Sequence, residues 1–378
     1  MTQTIAFYAP LKSPNHTTPS GDRLVARLFV SLFQELGYNV NLMSNFRSWS
    51  AKGSTQESLK ATAFHEAERL CKGYETKAEK PLFWFTYHLY HKAPDWIGPA
   101  FCKHFNIPYM IAEASIAPKR ANGEWELGYE DALSAIKQAS RALTLAPHDH
   151  EILSKFIPQD RLISFMPFIQ TPPPLHDKKL LREKLAATYH LPIAKKWLLT
   201  VAMMRDDCKR ESYLELIDSL SSVKSSDYCA IFIGDGEART ELEAEAKQSN
   251  LPLFFLGKLS SEDVNRFYTA SDLYLWPAIN EAYGMSILEA QTAGLPVIAG
   301  NFGSVATIVE TEKTGIILPP NQPHLFAHSI DSLLNNQPRL DLFSQNALQR
   351  TTEKFSFQRA KTQMKEIIET LMKEKPNV

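Results

Sequence analysis

The chain has 378 residues, 44% of them hydrophobic, and a formal net charge of -1. That length allows a large buried core and favours two domains over one. No basic excess points to nucleic acid and no acidic run points to a disordered tail, so we expect no nucleic-acid partner. The four cysteines are scattered without metal-ligand spacing, which favours reduced thiols in a cytoplasmic protein.

No segment has the character of a targeting or membrane-spanning sequence. The start, MTQTIAFYAPLKSP, lacks a charged region followed by a long apolar stretch. No other run reaches the roughly 18 apolar residues of a spanning helix. We therefore expect a cytoplasmic protein, and a peripheral contact at the inner face of the membrane is the alternative.

Short apolar runs in the first half predict the strands of one domain. In chain order they are TIAFYA, NVNLM, LFWFTY, PYMIAEA and ALTLA, and a long helix is predicted over 21–36. The segment PFIQTPPPLHDKK follows, and its prolines favour a stiff connector because they fit neither a helix interior nor a central strand. The sequence therefore predicts a domain boundary near residue 170.

The second half alternates strand-like and helix-like segments from residue 197 onward. Its predicted strands are WLLTVAMM, YCAIFIG, LFFLG, DLYLW, PVIA and GIIL. This alternation predicts a parallel sheet covered by helices on both faces. The fold class is thus α/β with two Rossmann-like, doubly wound domains, at 1–170 and 171–350. A closing helix is predicted in 351–378, packed back on the first domain.

The stretch PAINEAYGMSILEAQTAGLPVIAG, at 277–300, predicts an anion site. Glu281 lies in a loop after a strand, Gly284 lets backbone approach a ligand, and the amides of 283–286 open a helix. Glu289 lies about 7 Å further along that helix, too far to share a proton with Glu281. The two carboxylates are therefore not a paired acid and base. The alternative is that both are ordinary surface charges.

Cations and glycines follow the other predicted strands of this domain. Arg205 and Lys209 come after the first strand, Gly234 and Gly236 after the second, and Gly257 ends the third. Ligands bind at the carboxyl ends of strands in an open parallel sheet, so these residues predict a crevice for a phosphate-bearing ligand with hydroxyl groups. A solvated charge cluster and plain tight turns are the alternatives.

Six motifs in order resemble one known family. They are MMR with its following lysine, IGDGEAR, LGKLSSEDVNRFYTASDLYLWPA, NEAYGMSILEA, AGLPVIA and TGIILPP. Together they resemble the carboxy-terminal domain of retaining glycosyltransferases of family 4, the glycosyl transferases group 1. The resemblance covers roughly residues 197–320. It implies the GT-B fold, in which two Rossmann-like domains face a central cleft.

The resemblance assigns a role to each residue of the predicted crevice. Glu281 would hydrogen-bond hydroxyls of the donor sugar, while Arg205 and Lys209 would hold the diphosphate. We expect Arg205 to matter more, because its planar group can hold two phosphate oxygens at once. Glu289 would accept hydrogen bonds from the ribose, and the backbone at 257–259 would meet the base. The donor-binding set is Glu289, Ala282, Tyr283, Gly284, Met285, Ser286, Gly234, Gly257, Lys258 and Leu259.

The chain departs from the family pattern at several positions. Met204 precedes Arg205 where a glycine is common, and Lys209 follows after only four positions. Ala282 also stands where glycine is usual. In the first domain, many relatives have a histidine on the strand where this chain has Glu113.

The first domain should bind the acceptor. Ser20 and Gly21 begin a helix after the first strand, and a plain N-cap is the alternative reading. The other acceptor-side candidates lie near strand ends and are His88, Glu113, Lys119 and Arg120. The alternative for each is an ordinary surface or hydrogen-bonded side chain.

These observations predict a retaining glycosyltransferase. It would move a sugar from a UDP- or GDP-linked donor to a saccharide or lipid-linked acceptor of the cell envelope, by a same-face displacement. The sequence has no Asp-x-Asp to bridge a metal to the diphosphate, so we expect no metal and no cofactor. The alternatives are a nucleotide-sugar epimerase on the same fold and a non-catalytic subunit that binds the donor.

Overall fold

The computed structural model of the chain describes residues 2–18, 20–170 and 177–373. The chain forms two compact units, one of Met1–Gln170 with Phe357–Val378 and the other of Thr171–Ser356. The proline cluster of the predicted connector, at 171–176, lies outside the described residues.

The first unit is a six-stranded parallel sheet with helices. Its strands are β1 (Thr4–Tyr8), β2 (Asn39–Leu42), β3 (Trp84–Leu89), β4 (Tyr109–Ala114), β5 (Arg141–Thr144) and β6 (Leu162–Ser164). Its helices are α1 (Gly21–Glu35), α2 (Gln56–Glu75), α3 (Gly98–Phe105), α4 (Glu126–Gln138), α5 (Pro147–Leu153) and, after the second unit, α14 (Phe357–Lys373). The strands lie in the order β2-β1-β3-β4-β5-β6.

The second unit has the same architecture. Its strands are β7 (Lys196–Val201), β8 (Tyr228–Ile233), β9 (Leu253–Gly257), β10 (Leu273–Trp276), β11 (Val297–Gly300) and β12 (Gly315–Leu318). Its helices are α6 (Lys178–Tyr189), α7 (Cys208–Ser221), α8 (Arg239–Gln248), α9 (Ser261–Ala270), α10 (Met285–Thr292), α11 (Val305–Ile308), α12 (Pro323–Leu334) and α13 (Gln337–Lys354). The strand order is β12-β11-β10-β7-β8-β9, again all parallel.

Both sheets are buried on both faces, as their apolar strands require. Every residue of β4 and of β8 is buried. Such strands form near-continuous hydrophobic runs because helices cover both faces of a parallel sheet. The prediction of two doubly wound parallel sheets is confirmed.

Each sheet reverses its winding direction at one place. In the first unit the chain runs from β1 outward to β2 and then returns to β3, on the other side of β1. In the second unit β7, β8 and β9 run outward, and β10 returns to the free side of β7. Ligands in such folds bind at this switch point, outside the carboxyl ends of the strands.

The last helix of the chain packs on the first unit. Six residues of α14 are buried at spacings of three or four, which makes one apolar face. The rings of Phe357 and Phe168 lie 5.9 Å apart, and Gln363 donates a hydrogen bond of 2.9 Å to the carbonyl of Ser164. Within 2–18, 20–170 and 177–373, no helix combines the length and the apolar character needed to cross a bilayer.

Candidate functional site

A partly buried ion pair lies at the switch point of the second sheet. Glu281 is in the loop between β10 and α10, and Lys209 is in the first turn of α7, which follows β7. Because β7 and β10 are neighbouring strands, their following loops meet. The Nζ of Lys209 contacts Oε2 of Glu281, and the two side chains are 15% and 17% exposed. Sequence reasoning expected both residues here but did not expect them to be bonded to each other.

Trp276 contacts both members of this ion pair. It is the last residue of β10 and is fully buried. Its indole Nε1 donates a 3.2 Å hydrogen bond to Oε2 of Glu281, and its ring centroid lies 5.2 Å from Nζ of Lys209. Both contacts to the carboxylate reach Oε2, which leaves Oε1 able to accept a hydrogen bond from a ligand.

The start of α10 lies directly after Glu281. Gly284 is the N-cap residue, with φ of 75° and ψ of 50°, and this left-handed conformation favours glycine. The amides of Met285 and Ser286 have no partner within the helix and lie at its positive dipole end, whereas the amide of Ile287 donates to the carbonyl of Gly284. Met285 is buried, and Oγ of Ser286 is 2.8 Å from the hydroxyl of Tyr274, which donates to it.

The two residues before Gly284 differ in exposure. Ala282 is exposed, and its carbonyl accepts a 2.9 Å hydrogen bond from the amide of Ser304. Tyr283 is half-buried. The hydrogen bond from Ser304 to the carbonyl of Ala282 thus holds this loop in place.

Arg205 is paired with Asp207 rather than with the Lys209–Glu281 ion pair. Its Nε is 3.0 Å from Oδ2 of Asp207, and the two side chains are 44% and 41% exposed. Asp207 is also the N-cap of α7, where it accepts from the amide of Lys209 at 2.8 Å. Arg205 is therefore a more exposed cation than Lys209.

The glycines after β8 are explained by packing. A β-carbon at Gly234 would lie 1.8 Å from the carbonyl oxygen of Ala202, and one at Gly236 would lie 2.3 Å from that of Met204. The loop after β8 therefore packs directly on the loop after β7, which fixes the position of Arg205. At the end of β9, Gly257 is buried, Lys258 is exposed and Leu259 is half-buried.

Glu289 is a mostly buried carboxylic acid on α10. The hydroxyl of Tyr268, on α9, donates a 3.0 Å hydrogen bond to its Oε2. Burial raises the pKa of Glu289 to about 7, although the bond from Tyr268 opposes that shift. Glu281 bonds to Lys209 and Trp276, whereas Glu289 bonds to Tyr268. These different partners agree with the expectation that the glutamates are not a paired acid and base.

A second cluster lies at the switch point of the first sheet. Asp22 is in the first turn of α1, His88 is in β3 and Glu113 is in β4. Nδ1 of His88 is 3.1 Å from Oδ1 of Asp22 and 3.6 Å from Oε1 of Glu113. His88 and Glu113 both have positive φ, of 58° and 54°, which is unusual for non-glycine residues.

The charges in this cluster act on one another. Burial opposes the charge of His88, but the carboxylates of Glu113 and Asp22 outweigh burial and raise the pKa of His88 to about 9. Burial raises the pKa of Glu113 to about 7, against the lowering effect of His88. Burial also opposes the ionisation of Asp22, yet its bond to His88 leaves the pKa of that carboxyl lowered. His88 is thus an imidazolium between acidic groups.

The remaining acceptor-side candidates lie in two different elements of the structure. Ser20 is the N-cap of α1, where its side chain accepts from the amide of Arg23 at 3.2 Å, and Gly21 begins the helix beside Asp22. Lys119 and Arg120 lie in a short 3-10 turn, Pro118–Arg120. Among the described hydrogen bonds and ion pairs, none joins these two cations to the cluster.

Three contributing residues were not identified from the sequence. Trp276 was assigned only to an apolar strand, Tyr268 to a helix, and Asp22 was not distinguished from its neighbours. Each makes its contact through tertiary structure, since Trp276 reaches a loop and Asp22 reaches β3. An acidic residue in the first turn of a helix that follows β1 was the one available signal for Asp22.

Comparison with solved structures identifies the fold. The structure resembles that of sucrose-phosphate synthase from Thermosynechococcus elongatus, with a TM-score of 0.76, 17% identity, and 98% and 99% of the two chains covered. It also resembles HepE from Anabaena, solved with UDP, with a TM-score of 0.75, 14% identity, and 98% and 100% coverage. The fold is GT-B.

The sequence match falls within the second unit. The family model of glycosyl transferases group 1 matches residues 194–350. The sulfoquinovosyl transferase SQD2 of Arabidopsis thaliana is 28% identical over 158 residues, which is 41% of this chain and 30% of that protein. The chain therefore spans less than a third of the length of that relative. Residues 194–350 are thus similar to the group 1 glycosyltransferase family.

Proposed function

We propose that this protein is a retaining glycosyltransferase that takes a sugar from a nucleoside diphosphate sugar. The observation that carries the proposal is the Glu281–Lys209 pair at the switch point of the family-matched unit. A lysine and a helix N-terminus beside each other suit a diphosphate. A carboxylate with one free oxygen suits a sugar hydroxyl.

The second unit would bind the donor through three groups of contacts. Lys209, Arg205 and the first amides of α10 would take the diphosphate. Oε1 of Glu281 would accept from the sugar, and Glu289 would accept from the ribose. The bond from Tyr268 to Oε2 of Glu289 leaves the other oxygen for that purpose. UDP- and GDP-linked donors are both candidates. The structures of HepE with UDP and with UDP-glucose make UDP the first to test.

The reaction would be a same-face displacement without a protein nucleophile. Oε2 of Glu281 is engaged by a lysine and an indole, which makes this carboxylate a poor nucleophile. As the glycosidic bond breaks, negative charge grows on the leaving diphosphate, and Lys209 would stabilise it. The leaving phosphate would then accept the proton of the incoming hydroxyl. Neither a metal ion at the diphosphate nor a cofactor is needed in this scheme.

The first unit would hold the acceptor. Its switch point contains Asp22, His88 and Glu113, with Ser20 and Gly21 at the adjoining helix start. Acidic and hydrogen-bonding groups of this kind suit the hydroxyls of a saccharide. We propose a saccharide or lipid-linked acceptor of the cell envelope, met in the cytoplasm or at the inner face of the membrane.

Nucleotide binding tests the donor part of this proposal. The full chain would be heated with UDP, GDP and ADP, each over a range of concentrations. A ligand at a hundred times its dissociation constant adds about 2.7 kcal/mol to the free energy of unfolding, so a true ligand gives a clear rise in melting temperature. We expect one base to stabilise the protein, and Lys209→Met to reduce the shift.

The control is Lys247→Met, in the exposed last turn of α8, which should keep the full shift. No stabilisation by any nucleoside diphosphate would contradict the proposal. Incubation with the nucleotide sugar alone then separates a transferase from an epimerase, because only an epimerase changes the sugar without an acceptor.

A further inference from the structure

The cluster of Asp22, His88 and Glu113 has the geometry of a metal site. One ligand atom from each of the three residues lies within 4.8 Å of the other two. Ligands about 2.1 Å from a metal ion stand roughly 3.0 to 3.5 Å from one another. The distances from His88 Nδ1, 3.1 Å to Asp22 and 3.6 Å to Glu113, are close to that range.

A proton on His88 does not satisfy the whole cluster. The imidazolium N–H at Nδ1 can be shared with Asp22, but Oε1 of Glu113 lies 3.6 Å away, beyond hydrogen-bond distance. A bond from Tyr87 also reaches the Glu113 carboxyl. Even so, Oε2 of Glu113 is buried without a described hydrogen-bond partner, and the residue is only 8% exposed. Buried carboxylate oxygens are ordinarily bonded, so this one calls for a ligand.

The backbone supports the same conclusion. His88 and Glu113, at the ends of neighbouring strands, both have the left-handed conformation that is costly for such residues. Conformations of this kind persist where the surroundings hold them, and they are concentrated at functional sites. Here they direct two side chains from separate strands toward the same helix start.

We propose that Asp22, His88 and Glu113 bind a divalent transition-metal cation, such as Mn²⁺ or Zn²⁺. One imidazole and two carboxylates suit these ions, whereas Mg²⁺ and Ca²⁺ prefer oxygen ligands throughout. On binding, the proton at Nδ1 leaves to solvent and the nitrogen becomes a ligand. Asp149 on α5 adds further negative charge that acts on His88.

The proposed cation would link three elements of the first unit. Its ligands come from the start of α1 and from β3 and β4, at the carboxyl ends of the strands. Three protein ligands leave at least one coordination position for water or for an oxygen of a substrate. The ligands proposed here belong to the first unit, whereas those proposed for the diphosphate belong to the second, and the inference goes beyond the proposed function.

Cation binding by the full chain tests the proposal. The protein would be stripped with a chelator, desalted, and dialysed against Mn²⁺, with bound ion measured by electron paramagnetic resonance. Mn²⁺ is the primary probe because four free cysteines could bind Zn²⁺ elsewhere. Zn²⁺ is the second probe. We expect saturable binding of one of these ions, with a single ion per chain.

The variants are Glu113→Gln and His88→Asn, each expected to weaken binding by at least about tenfold. Asparagine is chosen because it tolerates positive φ, so that variant should fold even if the other does not. The matched control is His104→Gln. His104 and Glu75 form an exposed pair 3.2 Å apart on the same unit, and the control should bind the ion normally.

Two results would overturn the proposal. One is an absence of saturable binding of either cation by the folded protein. The other is binding that Glu113→Gln and His88→Asn leave as strong as in the parent, which would mean an adventitious ion only. Neither result would affect stabilisation by nucleotides, because that is measured on the second unit.

Discussion

The two switch points, where each sheet reverses its winding, differ in their electrostatics. In the second unit, one carboxylate at the end of β10 is neutralised by a lysine and fixed by an indole. In the first unit, one imidazole at the end of β3 stands between two carboxylates. The fold thus places a candidate ligand-binding edge in each unit, and the side chains at that edge would decide which ligand it attracts.

Because of this difference in charge, we expect the two switch points to bind different ligands. A phosphate would be attracted to Lys209 and the start of α10, but would be repelled by Asp22, Glu113 and Asp149. The first edge instead suits a cation or a donor of hydrogen bonds, such as a sugar hydroxyl. Charge as well as family resemblance supports the proposal that the second unit binds the diphosphate.

Removing Lys209 should cause the largest loss. Lys209→Met takes the cation from the leaving diphosphate, and loss of one such preorganised group costs about a hundred- to a thousandfold in turnover. It also leaves the mostly buried Glu281 without its partner, so stability should fall. The measurement is turnover at saturating donor and acceptor, with the melting temperature determined in parallel. Near-normal turnover in folded protein would remove Lys209 from the chemistry.

Arg205→Ala provides the contrast. The sequence suggested that Arg205 would matter more than Lys209 because its planar group can hold two phosphate oxygens. From the structure we now propose the opposite order, because Arg205 is 44% exposed and paired with Asp207. We expect the melting temperature to be unchanged and the loss of turnover to be smaller than for Lys209→Met. A larger loss for Arg205→Ala would restore the original order.

Glu289→Gln should act on binding rather than on turnover. A ribose contact is present in both the ground state and the transition state, so its loss raises the Michaelis constant and leaves turnover nearly unchanged. A hydrogen bond to a charged group contributes about 1.5 to 3 kcal/mol, which predicts a rise of roughly ten- to a hundredfold. A collapse of turnover with an unchanged Michaelis constant would place Glu289 at the reacting atoms.

The pKa of Glu289 adds a dependence on pH. Burial raises that pKa to about 7, so the carboxylate that accepts from the ribose is lost as the pH falls below 7. Donor affinity should therefore weaken as the pH falls through 7, and the total loss should not exceed the roughly ten- to hundredfold effect of Glu289→Gln. The measurement uses a nucleotide sugar, whose diphosphate stays ionised over this range. Glu289→Gln should bind with the same affinity at each pH, and a slope that persists in this variant would assign the titration to another group.

Trp276→Phe should have a smaller effect. Phenylalanine keeps an aromatic ring beside Lys209 but removes the N–H that fixes Glu281. Loss of one hydrogen bond of about 0.5 to 1.5 kcal/mol predicts a two- to tenfold fall in turnover. The control is Trp197→Phe, a fully buried indole that bonds to the carbonyl of Pro192. Equal turnover in the two variants would show that Trp276 only packs.

The elements and the loops of the chain differ in how far they could be predicted. The alternation of apolar runs and helices predicted the strands of both sheets except β6, because buried parallel strands are continuous apolar runs. The helix α2 was not predicted, since its buried face is made of Gln56, Ala63, Ala67, Leu70, Cys71 and Tyr74, a weakly apolar set. Tertiary packing, rather than local pattern, holds it.

The candidate site shows the same limit. The positions of Glu281, Lys209 and Glu289 relative to strands could be inferred, because loops after parallel strands meet at one edge. The partners could not. Lys209 is 72 positions from Glu281, and Asp22 is 66 positions from His88, so these bonds depend on strand order. Strand order was not predicted from the sequence.

Treatment with a chelator should distinguish the switch point of the first unit from that of the second. We expect its effect on donor binding by the second unit to be the smallest of the predicted effects. The diphosphate would be bound by Lys209, Arg205 and the start of α10, so EDTA should leave the affinity for the nucleotide sugar unchanged within about twofold. The same treatment should remove the cation proposed for Asp22, His88 and Glu113. Donor affinity would be measured by calorimetry before and after chelation, with bound metal determined in the same samples. A loss of donor affinity that Mg²⁺ or Mn²⁺ reverses would place a metal at the diphosphate. It would contradict the proposal that a lysine binds the ligand in the second unit and a metal binds in the first.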